Sequence, residues 1–176
     1  MRVRCPGRLP GQASPDPVLI GRLYAAHLYV ITPDAPPDRV VELASAALRG
    51  GADVLQLRHK SLARGDLLAL ARRVRDVTAG SGVLFIINDY VDIALLSNAD
   101  GVHLGPDDLT IASARRGAGD RLLIGASAST PERARAAIAD GADYLGSGPA
   151  FVTPIKTKKQ VIGPKGVAEI AAAAGS

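Results

Sequence analysis

One cysteine, Cys5, occurs in 176 residues. That excludes an internal disulfide and any cysteine-cluster metal site, and makes a reducing cytoplasm the expected compartment. Tryptophan is absent, phenylalanine occurs twice, and aromatic residues make up 3% of the chain. Any core must therefore be filled by aliphatic side chains and alanine. No apolar run approaches the roughly 20 residues that a membrane span needs. The segment Met1-Arg-Val-Arg-Cys-Pro-Gly-Arg8 carries charge but leads into no apolar stretch, which does not fit a secretory signal. The three histidines, His27, His59 and His103, are dispersed, so a zinc site is not expected.

What is present is the composition of one globular domain: 47% hydrophobic and 22% charged residues, with nineteen glycines and twelve prolines. The net charge of +4 is a property of the ends. Residues 1–24 carry four arginines against one aspartate, and residues 156–176 four lysines against one glutamate. The middle is left mildly acidic. Nucleic-acid binders more often show a basic face with stacking aromatics, so no nucleic-acid partner is expected.

Residues 1–22 are rich in Pro, Gly and Arg and lack periodicity, which predicts a mobile leader. From residue 23 onward two periods alternate. Strands are expected at 27–32, 54–58, 83–88, 101–105, 122–127 and 144–148. Helices are expected between them: one opened by Asp38 and ended by Gly50-Gly51, then 66–77, 92–96, 109–116, one capped by Thr130 with Pro131 behind it, and 166–174. Strand and helix alternating six times imply an α/β fold with a parallel sheet. Ala-Asp precedes a strand at 52–53, 99–100 and 142–143. That repeat spacing favours a (β/α)8 TIM-type barrel over an open sheet. Six units fit between residue 23 and the end, so the expectation is an incomplete barrel over 23–176, with a seventh and an eighth unit missing.

In parallel α/β folds the chemistry collects where strands end. Gln56, Arg58 and Lys60 alternate along one face of the second strand, with Leu55 and Leu57 on the other. Two cations at a strand end suit a phosphorylated ligand, or are simply solvated. Asn88-Asp89 ends the third strand and Asp107-Asp108 follows the fourth. Asp89 and Asp108 are placed to share one ion, and two carboxylates completed by substrate phosphates are a usual way to hold Mg²⁺. The competing role for Asp107 or Asp108 is a helix N-cap. Ser127 ends the fifth strand with no recognisable base beside it, so it is expected to bind rather than attack. Gly146-Ser-Gly148 and the Thr153 to Lys159 run follow the sixth, where glycines admit a ligand close to the backbone and Thr and Lys supply donors. His103, mid-strand, is expected to be a packed or hydrogen-bonded core residue.

Leu28-Tyr-Val-Ile-Thr32, Gln56-Leu-Arg-His-Lys60, Phe85-Ile-Ile-Asn-Asp89, Ala99-Asp-Gly-Val-His-Leu-Gly105, Ile124-Gly-Ala-Ser127 and Gly148-Pro-Ala-Phe-Val-Thr153 resemble thiamine phosphate synthases in order and spacing. The resemblance covers roughly residues 27–172. It implies a (β/α)8 barrel that joins 4-amino-2-methyl-5-hydroxymethylpyrimidine diphosphate to a thiazole phosphate, releasing pyrophosphate. It further implies that Gln56, Leu57, Arg58, His59, Lys60, Asn88, Ser127 and Lys156 bind the diphosphate substrate, with Arg58, Lys60 and Lys156 assisting its departure. Asp89 and Asp108 would hold Mg²⁺, and Thr153, Pro154 and Ile155 would lie at the thiazole phosphate. The sequence departs from the family with Pro106 in place of Gln, Ser129 in place of His, and Ile155 in place of a threonine; Lys158 is the alternative to Lys156. A thiazole tautomerase relative, or a phosphate-binding chain without turnover, are the competing functions. A homo-oligomer is a further expectation.

Overall fold

The computed structural model describes residues 15–152 and 161–175. Six strands alternate with helices: β1 Tyr29–Ile31, β2 Val54–Leu57, β3 Leu84–Asn88, β4 Gly101–Leu104, β5 Leu123–Ser127 and β6 Tyr144–Gly146. The helices are α1 Pro17–Ala25, α2 Pro37–Arg49, α3 Arg64–Thr78, α4 Val91–Leu96, α5 Ile111–Ala118, α6 Pro131–Ala139 and α7 Gly163–Ala173. The strands form one parallel sheet in chain order, β1 to β6. The sheet curls. The hydroxyl of Tyr29 on β1 lies 3.0 Å from that of Tyr144 on β6, so side chains of the first and last strands meet across a lumen.

Alternation sorts the strand residues onto two faces. Leu55, Leu57, Phe85, Ile87, Val102, Leu104, Ile124, Ala126 and Leu145 join the larger core, beneath the helices. Val54, Leu84, Ile86 and Leu123 lie on the opposite, inner face. Burying each leucine-sized side chain contributes about 1.5–3 kcal/mol, so aliphatic packing alone can hold this sheet without tryptophan. Inner-face glycines make room. A Cβ on Gly125 would lie 2.1 Å from the Tyr144 ring, and one on Gly146 would lie 2.9 Å from the His103 ring. Mid-strand glycine is a sign of such close approach.

Order begins earlier than the composition of residues 1–22 suggests. Asp16 accepts a 2.8 Å hydrogen bond from the Val18 amide, and Pro17 occupies the first turn of α1. Leu19, Ile20 and Leu23 pack on Val54, Leu84, Ile86 and Leu123. These lie toward the strand starts, so α1 covers the inner face at the N-terminal end. The polar composition of the preceding residues masked this short apolar stripe.

The Ala-Asp repeat has a common geometry. Asp53, before β2, accepts from the amides of His27 and Leu28 at 2.7 and 2.8 Å. Asp100, before β4, accepts from Phe85 on β3 at 2.7 Å. Asp143, before β6, accepts from Ile124 on β5 at 2.7 Å. Each carboxylate thus ties the start of its strand to the start of the preceding one. Arg75 on α3 pairs with Asp100 at 3.0 Å, and Arg115 on α5 with Asp143 at 2.6 Å.

Candidate functional site

The opposite end of the sheet is built differently. β3 ends at Asn88, and Asp89 then turns into a left-handed conformation, φ 68°. Few residues other than glycine adopt it, aspartate and asparagine more readily than most. The Asp89 amide donates to the His103 carbonyl at 2.8 Å and the Tyr90 amide to the Asn88 carbonyl at 2.9 Å. The turn leaves the Asp89 carboxylate buried, 8% exposed, with the Lys60 ammonium donating to its Oδ2.

Asp108 arrives from the β4–α5 connection. It is not the helix cap: Thr110 fills that role, its Oγ1 accepting from the Ser113 amide at 3.2 Å. Asp108 instead accepts from the Gly105 amide at 2.7 Å, and its carboxyl lies within hydrogen-bonding reach of Asp89. Partial burial pushes the Asp108 carboxyl above the usual aspartate range. The Asp89 charge adds to that rise, while the Gly105 amide and Lys60 oppose it. Two crowded carboxylates with one ammonium are hard oxygen donors still short of positive charge, which fits a divalent cation such as Mg²⁺. No group of three or more His, Cys, Asp or Glu residues forms a metal cluster among the described residues, so a cation here would need ligands from substrate or water.

The β2 end is braced from β1. Thr32 Oγ1 accepts from the Arg58 amide at 3.0 Å, and Asp34 accepts from the Lys60 amide at 2.7 Å. Arg58 and Lys60 keep partly exposed side chains, with Arg58 only loosely paired to Asp34 at 3.9 Å. Two neighbours of theirs take other roles. Leu57 points into the helix-facing core, 1% exposed, because alternation carries it away from Gln56 and Arg58. His59 is buried, its Nε2 2.9 Å from the Ala35 carbonyl and its Nδ1 3.6 Å from Asp34. These two side chains support the strand end and do not face the lumen cations.

Below the charged rim lies a polar lumen. Gln56, 2% exposed, donates to the Tyr29 hydroxyl at 2.9 Å. The Tyr29 and Tyr144 rings pack at 6.1 Å, and Tyr144 and His103 at 5.6 Å. His103 Nε2 lies 3.0 Å from Ser127 Oγ, so Ser127 does have an imidazole beside it, contrary to the sequence expectation, because parallel pairing of β4 and β5 brings together residues 24 apart in the chain. Burial pushes the Tyr29 phenol up to about 12 and the Tyr144 phenol well above its ordinary value, so both remain protonated donors. Asn88 ends β3, next to Asp89 in the chain and in register with His103 on β4. Sequence reasoning overlooked Tyr29, Tyr144 and Asp34. Gly125 in the middle of β5 and Gly146 at the end of β6 were the available signal for the tyrosine and the imidazole. Thr153, Pro154, Ile155 and Lys156 lie outside the described residues.

This strand-end arrangement can be set beside known proteins. The family model described as thiamine monophosphate synthase matches residues 28–175. The chain belongs to that family. It is 49% identical to a thiamine-phosphate synthase of Gloeobacter violaceus over 142 residues, covering 81% of this chain and 41% of that protein. With the thiamine-phosphate synthase of Anaeromyxobacter dehalogenans it shares 44% identity over 144 residues, 82% of this chain and 62% of that one. A solved structure of a thiamine phosphate pyrophosphorylase from Pyrococcus furiosus superposes with a TM-score of 0.75 at 38% identity, covering 86% of this chain and 71% of that one. The chain spans about two fifths of the length of the Gloeobacter relative. No helix among the described residues is long and apolar enough to cross a membrane.

Proposed function

We propose that the chain carries out the coupling step of thiamine phosphate synthesis. In it, 4-amino-2-methyl-5-hydroxymethylpyrimidine diphosphate and a thiazole phosphate give thiamine phosphate and pyrophosphate. The observation that carries this reading is the meeting of Asp89, Asp108 and Lys60 above a polar, aromatic-walled lumen, in a chain of this family. Tyr29, Tyr144 and His103 offer ring faces and donors for a flat heterocycle. Arg58, Lys60 and Asn88 stand at the rim, where a diphosphate attached to that heterocycle would emerge. Ser127, bonded to His103, offers a hydroxyl between the two zones.

Chemically, the bond between the pyrimidine methylene carbon and the diphosphate oxygen breaks, and the electron pair leaves with pyrophosphate. The lone pair of the thiazole nitrogen then forms the new carbon–nitrogen bond. No proton need be removed to form it, so the step asks nothing of the His103–Ser127 pair as a general base. Arg58 and Lys60 stabilise the charge that develops on the departing oxygen. Asp89 and Asp108 would hold Mg²⁺, which when bound would neutralise diphosphate charge. Lys156, or Lys158 in its place, would add a cation, and Thr153, Pro154 and Ile155 would border the thiazole phosphate. Within the reading, the six βα units are six of the eight of a closed barrel, working in the cytoplasm as a single chain or a homo-oligomer.

Incubation with both substrates and Mg²⁺ tests the proposal by release of pyrophosphate and appearance of thiamine phosphate. Diphosphate binding by calorimetry with no product would instead identify a binding chain. Tautomerisation of a thiazole substrate without coupling would identify a tautomerase.

A further inference from the structure

The strained turn at Asp89 is gripped from outside the site. Backbone conformations of this kind persist only where the surroundings over-determine them. On the inner side, the β3–β4 ladder and the Asp89 amide fix the residue, and Lys60 holds its carboxylate. On the outer side stands Arg64, at the start of α3 and four residues beyond Lys60. Its guanidinium lies 4.1 Å over the Tyr90 ring, and its Nη2 donates to Asp92 Oδ2 at 2.7 Å. The β2–α3 connection therefore grips the β3–α4 connection at two points, Lys60 on Asp89 and Arg64 on the two residues flanking Val91. The first of these points is the residue with φ 68° itself, and the second begins at the residue after it. Arg64 is too exposed, at 56%, to be needed for the core, and it touches neither carboxylate of the pair.

From this geometry we infer that Arg64 is a positioning residue for the Asp89 carboxylate, acting through Tyr90 and Asp92. The inference rests on the reading of Asp89 as a cation ligand given above. With Arg64 in place, the turn is held in the one conformation that turns the carboxylate toward Asp108. Without it, Tyr90 and the start of α4 gain freedom, and the carboxylate samples orientations that cannot share an ion with Asp108.

The test compares the 176-residue chain with its Arg64→Ala and Arg64→Lys variants. An exposed cation–π contact and an exposed ion pair are each modest. Arg64→Ala is therefore expected to raise the Mg²⁺ concentration for half-maximal coupling by roughly three- to tenfold, with kcat at saturating Mg²⁺ within about twofold. Arg64→Lys, which keeps a cation over the ring, recovers part of the loss. Exchange of the Asp89 and Tyr90 amides should quicken in the alanine variant while amides of β5 do not change. Unchanged Mg²⁺ dependence together with unchanged exchange would overturn the inference, as would a fall in kcat at unaltered Mg²⁺ dependence. If the parent chain shows no Mg²⁺-dependent turnover, the functional reading fails. Amide exchange, with and without Mn²⁺ as a probe of the carboxylate pair, then decides the role of Arg64 by itself.

Discussion

Aspartates stand at both ends of this sheet, in opposite circumstances. At the strand starts, Asp53, Asp100 and Asp143 each accept one or two backbone amides, and the two more deeply placed ones also meet an arginine. At the strand ends, Asp89 and Asp108 face each other with one lysine between two carboxylates. A carboxylate whose lone pairs are filled by fixed donors stabilises the fold. A carboxylate set against another is left with a demand that an outside cation can meet. The same residue type is structural where its partners are supplied by the chain, and available for binding where they are not.

Breaking the best-satisfied member should show the largest effect. Asp143→Ala leaves Arg115 buried without its carboxylate and the Ile124 amide without an acceptor. A loss of about 3–5 kcal/mol of stability is expected, read by urea denaturation. Any coupling activity that survives should keep its KM values.

At the other end, Asp89→Asn keeps a residue tolerant of the left-handed turn but removes the charge. The coupling rate should fall by about 10²-fold, while the melting temperature hardly moves. A large loss of stability with normal activity would reverse the assignment of the two ends.

Asp108 yields a smaller effect with a definite sign. Its folded-state pKa is raised, so the folded chain holds this proton more tightly than the unfolded chain. The favourable contribution is present below the ordinary aspartate value and is lost as pH rises through the raised one. Asp108→Asn should therefore modestly stabilise the protein at pH 7, and the gain should vanish in acid. Mg²⁺ dependence in the parent chain should worsen as pH falls toward the raised value.

Asp53 should show the smallest effect, with the opposite sign. The His27 and Leu28 amides hold its carboxyl below the ordinary range. Its contribution is present above the ordinary value and lost as pH falls through the lowered one. Asp53→Asn should slightly lower the melting temperature at neutral pH and flatten the acid limb of its pH dependence.

Much of this was legible in one dimension. Short apolar runs located the six strands of the sheet, and the Ala-Asp repeat marked three of the strand starts. Helix boundaries were less well marked. Pro36 rather than Asp38 precedes α2, and Asp38 sits in the first turn, where it pairs with Arg73. Thr110 displaced Asp107 and Asp108 as the cap of α5, because the first hydroxyl that can reach the exposed amides takes the position. Helix α1 was concealed by prolines and arginines around its short apolar stripe.

The sequence by itself determined the alternation of strand and helix, the parallel sheet, and the cations and carboxylates at the strand ends, because these follow from local period and chain order. The tertiary structure decided which of those groups meet. Sheet curl brings Tyr29 to Tyr144 over 115 residues, register sets Asn88 beside His103, and a left-handed turn aims Asp89 at Lys60 and Asp108. Those encounters depend on closure in three dimensions, which no local pattern encodes.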